Sequence, residues 1–408
     1  MQATLDFRIA ALAQSWLGLD GVVTAQDHDF LIPSRGRFAW VARRVAHLLF
    51  NNSHLPMEFH DDLDRLWSYT DQVSRGHYWM TGRCESVPLS KGARALASEM
   101  AIGAGSLAGT HFLDLLTTRR SETHPYVIID DVVLPARMDV ATLKVEKPVF
   151  ALIRRKSGAH NSALALEGAV RDVLAMIPGL AVEREPVHIA VSIHDPGETD
   201  VFATSPKGRV ILGEVKAKVA VEGQATTDKS YSEGIQQLVD QLRKRRQAYQ
   251  AGEDPRLSDG TVLAGRRSTD ALTLGVTLHE YSGAPWRPAM FSRTSQVAPI
   301  DVAVVPVVDL QLVAAAMHDA DDLCAYLETR QRVFSQGMAG ASDEVDILCW
   351  YLRQGHAACA AELDLIEGKY AIAFSPKEVT VADQVGPEPR GTAELRRRLL
   401  TLPHAADW

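Results

Sequence analysis

The chain has 408 residues, of which 46% are hydrophobic and 23% are charged, a composition typical of a soluble globular protein with two or three domains. It contains no run of about 18 consecutive apolar residues, so we expect no transmembrane helix and no membrane partner. The net charge of −8 excludes a uniformly basic nucleic-acid-binding surface; binding to phosphate would need a local basic face.

The cysteines and the N-terminus both favour a cytoplasmic location. The four cysteines have no CxxC spacing, which argues against a zinc site or a disulfide framework and predicts buried thiols in a reducing compartment. The first residues show no basic region and no cleavage site of a signal peptide.

Residues 1–150 are predicted to form a mostly helical region of unknown role. Tyr126–Leu134 is its one predicted strand. Amphipathic periodicity predicts helices at Asp6–Leu17, Phe38–Phe50, Asp61–Val73 and Ser90–Met100.

A helix is then predicted at Asn161–Met176, entered through a loop at Lys156–His160 and ended by Pro178 and Gly179. Glu167 lies one residue from the apolar stripe of this helix. It either reaches the rim of a neighbouring site or is an ordinary surface glutamate. Val182–Ile193 is predicted to be the first strand of a core.

The next two strands are predicted to form an antiparallel hairpin, Thr199–Ser205 and Arg209–Lys218, joined by the turn residues Ser205–Gly208. Alternation along the second strand places Glu214, Lys216 and Lys218 on one face. Because unpaired charges are costly to bury, we expect this face to be exposed. Pairing of the strands brings Asp200, which thirteen residues separate from Glu214, close to that carboxylate.

Two carboxylates at one point, with a lysine two residues further on, suit a hard divalent cation such as Mg²⁺ or Mn²⁺. Such an ion holds a water and a phosphate oxygen, and Lys216 would orient or activate the water. The alternative interpretation is a solvent-facing hairpin with ordinary surface charges.

A helix at Ser232–Gln250 is predicted to follow, and it ends in four consecutive basic residues, Arg243 to Arg246. These either contact a phosphate backbone or are a solvated helix end whose cations complement the helix dipole. The remaining predictions are strands at Ala271–Leu278, Ile300–Val308 and Tyr370–Phe374, and helices at Leu310–Met317 (capped by Asp309), Asp319–Val333, Asp343–Gln354 and Ala393–Leu400.

Asp200 followed by Glu214-Val215-Lys216, in the order helix, strand, strand, strand, helix, strand over about Ser157 to Tyr281, resembles the PD-(D/E)xK nuclease superfamily. The resemblance implies an α/β fold with a restriction-endonuclease-like core, a mixed sheet flanked by helices, at 151–308. A mostly helical N-terminal region at 1–150 and a C-terminal helical extension at 309–408 would flank it. Thr199 replaces the proline of the motif. Gln237 is followed four residues on by Gln241 and not by tyrosine, so one subgroup of the superfamily is not indicated.

The resemblance also implies an activity, metal-dependent hydrolysis of phosphodiester bonds in nucleic acid, with DNA favoured. Asp200 and Glu214 would ligate Mg²⁺ or Mn²⁺, with the Val215 carbonyl as a further candidate ligand. Lys216 would stabilise charge in the transition state. Glu167 would assist through a water or a second ion. The candidates for nucleic-acid contact are Lys218, Arg243, Lys244 and Arg246.

Restriction, phage defence or repair, and a homodimer or a partner protein of a defence system, are expectations by analogy, since a fold does not fix a role. Two alternatives stay open. One is the same fold with an inactive site, although no ligand position is missing. The other is a non-catalytic interaction scaffold, which the acidic balance favours and the intact Asp/Glu/Lys set argues against.

Overall fold

The structure, a computed structural model, describes residues 39–56, 58–75, 89–103, 123–129, 132–135, 141, 144–192, 194–217, 232–263, 271–278, 302–335, 339–340, 344–366 and 372–373. The chain forms two compact units, which divide between residues 169 and 170. The domain boundaries predicted near residues 150 and 308 stay predictions. The predicted helices Asp6–Leu17 and Ala393–Leu400, and Lys218, lie outside the described residues. None of the helices in the described ranges has the length and apolarity needed to cross a membrane.

The first unit combines helices with a small sheet. Strand order is β1-β2-β3, with β1 parallel and β3 antiparallel to β2. The strand predicted at Tyr126–Leu134 is therefore wrong as a single element, because the chain reverses within it. The elements are α1 (Ala39–Asn51), α2 (Glu58–Arg75), α3 (Lys91–Glu99), β1 (Ala101–Gly103), β2 (Tyr126–Ile129), β3 (Val132–Pro135) and the first part of α4 (Glu146–Ala175).

Helix α4 replaces the loop predicted at Lys156–His160. Helical hydrogen bonding continues through these residues, and the backbone departs from helical geometry at Gly158, with φ 89° and ψ 171°. Glycine adopts such a positive φ without steric penalty, so the helix bends there without ending. The part of α4 beyond Gly158 corresponds to the predicted helix, and its apolar residues Ala165 and Val173 are fully buried.

The second unit is built on a five-stranded sheet of order β10-β9-β8-β7-β4. Strand β8 is antiparallel to β7 and parallel to β9, and β9 is parallel to β10. The strands of this unit are β4 (Ala181–Val182), β5 (Val187–His188), β6 (Glu198–Thr199), β7 (Val201–Thr204), β8 (Val210–Lys216), β9 (Ala271–Thr277), β10 (Ala303–Pro306), β11 (Ala339–Gly340) and β12 (Ile372–Ala373). Its helices after α4 are α5 (Gln237–Gln250), α6 (Val307–Ala316), α7 (Ala320–Ser335), α8 (Glu344–Gln354) and α9 (His356–Ile366).

The predicted hairpin is confirmed. Strands β7 and β8 pair in the register Val201 to Gly213. The Gly208 N–H donates to the Ser205 carbonyl at 2.9 Å, and Gly208 has φ 78°, as a tight turn requires. The strand predicted at Val182–Ile193 is wrong as one element. Its ends belong to different sheets, because β4 pairs with β7 and β5 pairs with β6.

Helix α5 covers one face of this sheet. Leu238, Val239 and Leu242 form one buried cluster with Val210 and Leu212 of β8 and with neighbouring apolar side chains. Glycine in β9 permits this close approach, since a Cβ atom at Gly275 would lie 2.3 Å from Leu238 Cδ2. The α/β class predicted from sequence is confirmed, with mixed sheets flanked by helices.

The described part of residues 309–408 is mainly helical, and it also contains the parallel strand pair β11–β12. Helix α7 begins after Asp319, whose Oδ1 accepts bonds from the N–H groups of Asp321 and Asp322 at 2.9 Å. Helix α6 begins at Val307, so the strand predicted at Ile300–Val308 is shorter than expected. Helix α9 was not predicted.

The two cysteines whose side chains are described, Cys324 and Cys359, are buried, as predicted. Burial raises the pKa of the Cys324 thiol to about 11, so this thiol is protonated at neutral pH.

Candidate metal and catalytic site

Asp200 lies at the junction of two sheets. The residues before it form β6, which pairs with β5, and those after it form β7 of the five-stranded sheet. Its Oδ2 accepts a hydrogen bond from the Val215 main-chain N–H at 2.7 Å. This bond spans the open end of the hairpin and places the Asp200 carboxylate against the main chain of Val215, the residue after Glu214. The predicted closeness of the Asp200 and Glu214 carboxylates stays a prediction.

Glu214 and Lys216 form an ion pair on one face of β8. Lys216 Nζ lies 2.8 Å from Glu214 Oε1, and the Lys216 side chain is 23% exposed. Side chains two residues apart on a strand point to the same face, so the predicted alternation is confirmed for this pair.

Both carboxylates are buried, which contradicts the expectation of an exposed polar face. Asp200 is 9% exposed and Glu214 is 4% exposed. The reason is that β8 is paired on both edges, and α5 covers the face that carries Val210 and Leu212. By alternation Glu214 and Lys216 continue that face towards the end of the strand.

One oxygen of Glu214 has no hydrogen-bond partner among the described residues. Glu214 Oε2 is buried, whereas Oε1 is paired with Lys216. A buried carboxylate oxygen without a partner is unfavourable, and most such atoms in folded proteins are satisfied. A divalent cation would satisfy it, so the residues present fit the metal that the sequence predicted.

The Val215 carbonyl points towards the Asp200 side of β8. In antiparallel pairing the N–H and C=O of one residue point to the same neighbour, and the Val215 N–H bonds to Asp200. The next carbonyl, of Lys216, points the opposite way and accepts from the Leu278 N–H at 3.2 Å. The orientation of β8 therefore agrees with Val215 as a candidate ligand, and that role stays a prediction.

Glu167 is half-buried on α4, in the first unit. Its assisting role stays a prediction.

The predicted nucleic-acid contacts on α5 differ from one another in exposure. Lys244 is exposed, and Arg243 and Arg246 are half-buried. Arg243 Nη1 lies 3.9 Å from Asp240 Oδ1 on the same helix. Such a surface pair contributes little to stability.

Two arginines near Asp200 make contacts that the sequence did not predict. Arg245, expected within Arg243 to Arg246 to contact phosphate or to be solvated, is instead buried. Arg171 of α4 donates from Nε to the Asp200 carbonyl at 2.9 Å. Arg245 of α5 is 6% exposed and donates from Nε to the Glu198 carbonyl at 3.2 Å. Leu238, Leu242 and Arg245 follow one another at helical spacing, so the sequence already indicated that Arg245 lies on the buried face of α5.

No group of three or more His, Cys, Asp or Glu side chains that could hold a metal occurs within the described ranges. The candidate metal ligands are therefore two carboxylates and a main-chain carbonyl. In comparisons with known proteins, no family model, no curated protein and no solved structure matches the chain.

Proposed function

We propose that the chain is a metal-dependent nuclease that hydrolyses phosphodiester bonds in nucleic acid, with DNA favoured. The observation that carries the proposal is the buried Glu214 Oε2, which has no hydrogen-bond partner in the described part of the chain and lies on the strand next to the Asp200 anchor. A divalent cation bound there would satisfy this oxygen, as oxygen ligands suit such an ion.

In this proposal each side chain has a separate task. Asp200 and Glu214 hold Mg²⁺ or Mn²⁺, and the Val215 carbonyl completes the protein ligands. The bound ion supplies a polarised phosphate oxygen and a water of lowered pKa. Lys216, whose Nζ lies 2.8 Å from Glu214 Oε1, would orient that water and stabilise the charge that develops on the phosphate.

The arrangement of the second unit supports a restriction-endonuclease-like core. A helix precedes the β7–β8 hairpin, α5 follows it, and β9 then pairs in parallel with β8. This is the order on which the resemblance rests, except that two short strands of different sheets, β4 and β5, take the place of its first strand. In the proposed core, Glu214 lies near the end of the central strand β8 and Asp200 lies just before β7.

A nuclease with a net charge of −8 needs a local basic surface. Arg243, Lys244 and Arg246 of α5 are the described candidates. We propose that they contact the phosphate backbone, together with Lys218.

The test is cleavage of labelled single- and double-stranded DNA and RNA by the full chain in Mg²⁺, Mn²⁺ or Ca²⁺. We expect cleavage in Mg²⁺ or Mn²⁺ and none in Ca²⁺, which takes more ligands at longer distances and places the attacking water poorly. Glu214→Gln should abolish cleavage. Glu328→Gln, which removes a carboxylate paired with Arg209 at 3.1 Å on the surface, is the matched control and should cleave normally. Activity in Glu214→Gln, or equal rates in Ca²⁺, would refute the site.

The acidic balance favours a non-catalytic scaffold as the second candidate function, in which the Lys216–Glu214 ion pair would be a structural contact. Calorimetry with Mn²⁺ separates the two functions. A scaffold shows no Mn²⁺ binding that Glu214→Gln removes. A nuclease binds Mn²⁺, and at a hundred times Kd the ion stabilises the fold by about 2.7 kcal/mol.

A further inference from the structure

The backbone around Asp200 is held by guanidinium groups from two helices. Arg171 donates from Nε to the Asp200 carbonyl at 2.9 Å. Arg245 donates from Nε to the Glu198 carbonyl at 3.2 Å, and its Nη1 lies 3.3 Å from Asp195 Oδ2. Carbonyls on both sides of Thr199 are therefore fixed by side chains.

These bonds occur where sheet pairing changes. Residues up to Thr199 pair with β5, and residues from Val201 pair with β8. Asp200 lies between the two ladders, so neither ladder fixes its main chain continuously. A hydrogen bond from a charged donor is stronger than one between neutral groups, and it suits a residue that must be held accurately.

Arg171 and the Val215 N–H together fix both ends of Asp200. Arg171 donates to the Asp200 carbonyl, and the Val215 N–H donates to Asp200 Oδ2. A carboxylate that ligates a metal must be held within about 0.5 Å of its productive position, and outer contacts of this kind provide that accuracy.

We propose that Arg171 is a positioning residue for Asp200, acting through the main-chain carbonyl and not through substrate. This inference rests on the proposed metal site. It differs from the obvious alternative, in which Arg171 grips a substrate phosphate. Arg245 holds the preceding turn in the same way, but it is nearly fully buried, and its removal would also disturb folding.

The test uses Arg171→Gln and Arg171→Lys in the full chain, with Arg155→Gln as the matched control. Arg155, in the first unit, also donates from its guanidinium to a main-chain carbonyl, that of Glu99. Mn²⁺ binding is measured by calorimetry, cleavage by single turnover, and DNA binding separately in Ca²⁺. Urea denaturation in metal-free buffer shows whether each variant has a folded state.

We expect Arg171→Gln to weaken Mn²⁺ binding and slow cleavage by about 10–100-fold, the usual effect of losing an outer contact to a metal ligand. DNA affinity and its salt dependence should stay as in the unmodified chain. Arg171→Lys should recover part of the loss, since an ammonium can donate to the same carbonyl. Arg155→Gln should change none of these quantities.

The outcomes distinguish the inference from the proposed function. If the unmodified chain shows no Mn²⁺ binding that Asp200→Asn removes, the metal site and this inference both fail. If that binding exists and Arg171→Gln retains it, only the positioning role fails. Weaker DNA binding with normal Mn²⁺ affinity would make Arg171 a phosphate contact and would also overturn the inference. If Arg171→Gln does not fold, Arg171→Lys decides on the same criteria.

Discussion

The Asp200 side chain accepts a hydrogen bond from the Val215 main-chain N–H at 2.7 Å, across the open end of the β7–β8 hairpin. One carboxylate oxygen thus has a structural contact within the proposed metal site. Asp200 is 9% exposed, so this contact is made largely out of water. The structural and the metal-binding roles of this residue can be separated by substitution.

We expect Asp200→Asn and Asp200→Ala to abolish metal-dependent cleavage equally but to differ in stability. Asparagine retains an oxygen that can accept from Val215, whereas alanine leaves a buried N–H without an acceptor. The free energy of unfolding should therefore be about 1–3 kcal/mol lower for Asp200→Ala than for Asp200→Asn. Urea denaturation in metal-free buffer measures the difference. Equal stabilities would show that the Val215 contact contributes little, and cleavage by either variant would refute the site.

The hairpin could be predicted because its signals are local. The turn residues Ser205–Gly208 and the alternation at Glu214 and Lys216 are properties of a short stretch of sequence. The burial of Glu214 could not be predicted in this way. It depends on β9 and on α5, which follow β8 in sequence and cover its edge and its face.

Of the two arginines that hold the main chain near Asp200, one could be predicted from the sequence and the other could not. Arg245 lies on a helical stripe that the sequence already displays, so its burial was accessible to pattern analysis. Arg171 is adjacent to the apolar stripe of α4, and its partner is a main-chain carbonyl twenty-nine residues away. No local pattern encodes that contact. Every residue carries a main-chain carbonyl, so the sequence does not mark the one at Asp200 as the acceptor.

A histidine pair in the first unit predicts a pH dependence of stability. His47 Nδ1 and His60 Nδ1 lie 2.8 Å apart, and His47 Nε2 lies 2.9 Å from Asp64 Oδ1. Burial lowers the pKa of His60, and the charge on His47 lowers it further, although Asp64 and Asp61 act in the opposite direction. The native state therefore binds a proton at this site less readily than the unfolded chain does.

The sign of the effect follows from linkage. Because the native pKa of His60 is below its ordinary value of 6.5, the stabilising contribution is present above pH 6.5 and is lost as pH falls through the native pKa. We expect the unfolding midpoint to drop between about pH 7.5 and pH 5. The drop should be smaller in His60→Gln, which has no titrating group there. A pH profile unchanged by that substitution would contradict the prediction, and His54→Gln, which replaces an exposed histidine, serves as the control.

A buried cluster between α7 and α8 predicts a large stability effect. Arg330 and Glu344 are each 1% exposed, and Arg330 Nε lies 3.1 Å from Glu344 Oε2. Tyr326 donates its hydroxyl to Glu344, and burial together with that carboxylate raises the Tyr326 pKa well above its ordinary value. Arg330 also donates to the Val304 carbonyl at 3.1 Å, which connects the pair to β10.

We expect Arg330→Met to lower the free energy of unfolding by about 3–5 kcal/mol, because it leaves the Glu344 charge buried without its counter-ion. Adding Glu344→Gln to that variant should recover part of the loss, since the buried charge is then removed. Urea denaturation of the two variants measures this. If the double variant is no more stable than Arg330→Met, the loss comes from packing and not from the uncompensated charge.

The ion pair between Lys216 and Glu214 leads to the most direct test of catalysis. A general electropositive surface would lose substrate affinity when any lysine is removed. A lysine that acts mainly in the transition state loses turnover instead. We expect Lys216→Ala to slow single-turnover cleavage by at least about a hundredfold, the scale of one well-placed charge-stabilising donor, with DNA affinity in Ca²⁺ nearly unchanged. Mn²⁺ affinity should stay the same or rise, because Lys216 no longer competes for Glu214 Oε1.

Lys207→Ala removes an exposed lysine 3.3 Å from Asp321 and should alter neither rate nor metal binding. Lys218→Ala should mostly weaken DNA binding and reduce its salt dependence. If Lys216→Ala and Lys218→Ala slow cleavage alike, Lys216 has no special role, and the scaffold function becomes the better account of the site.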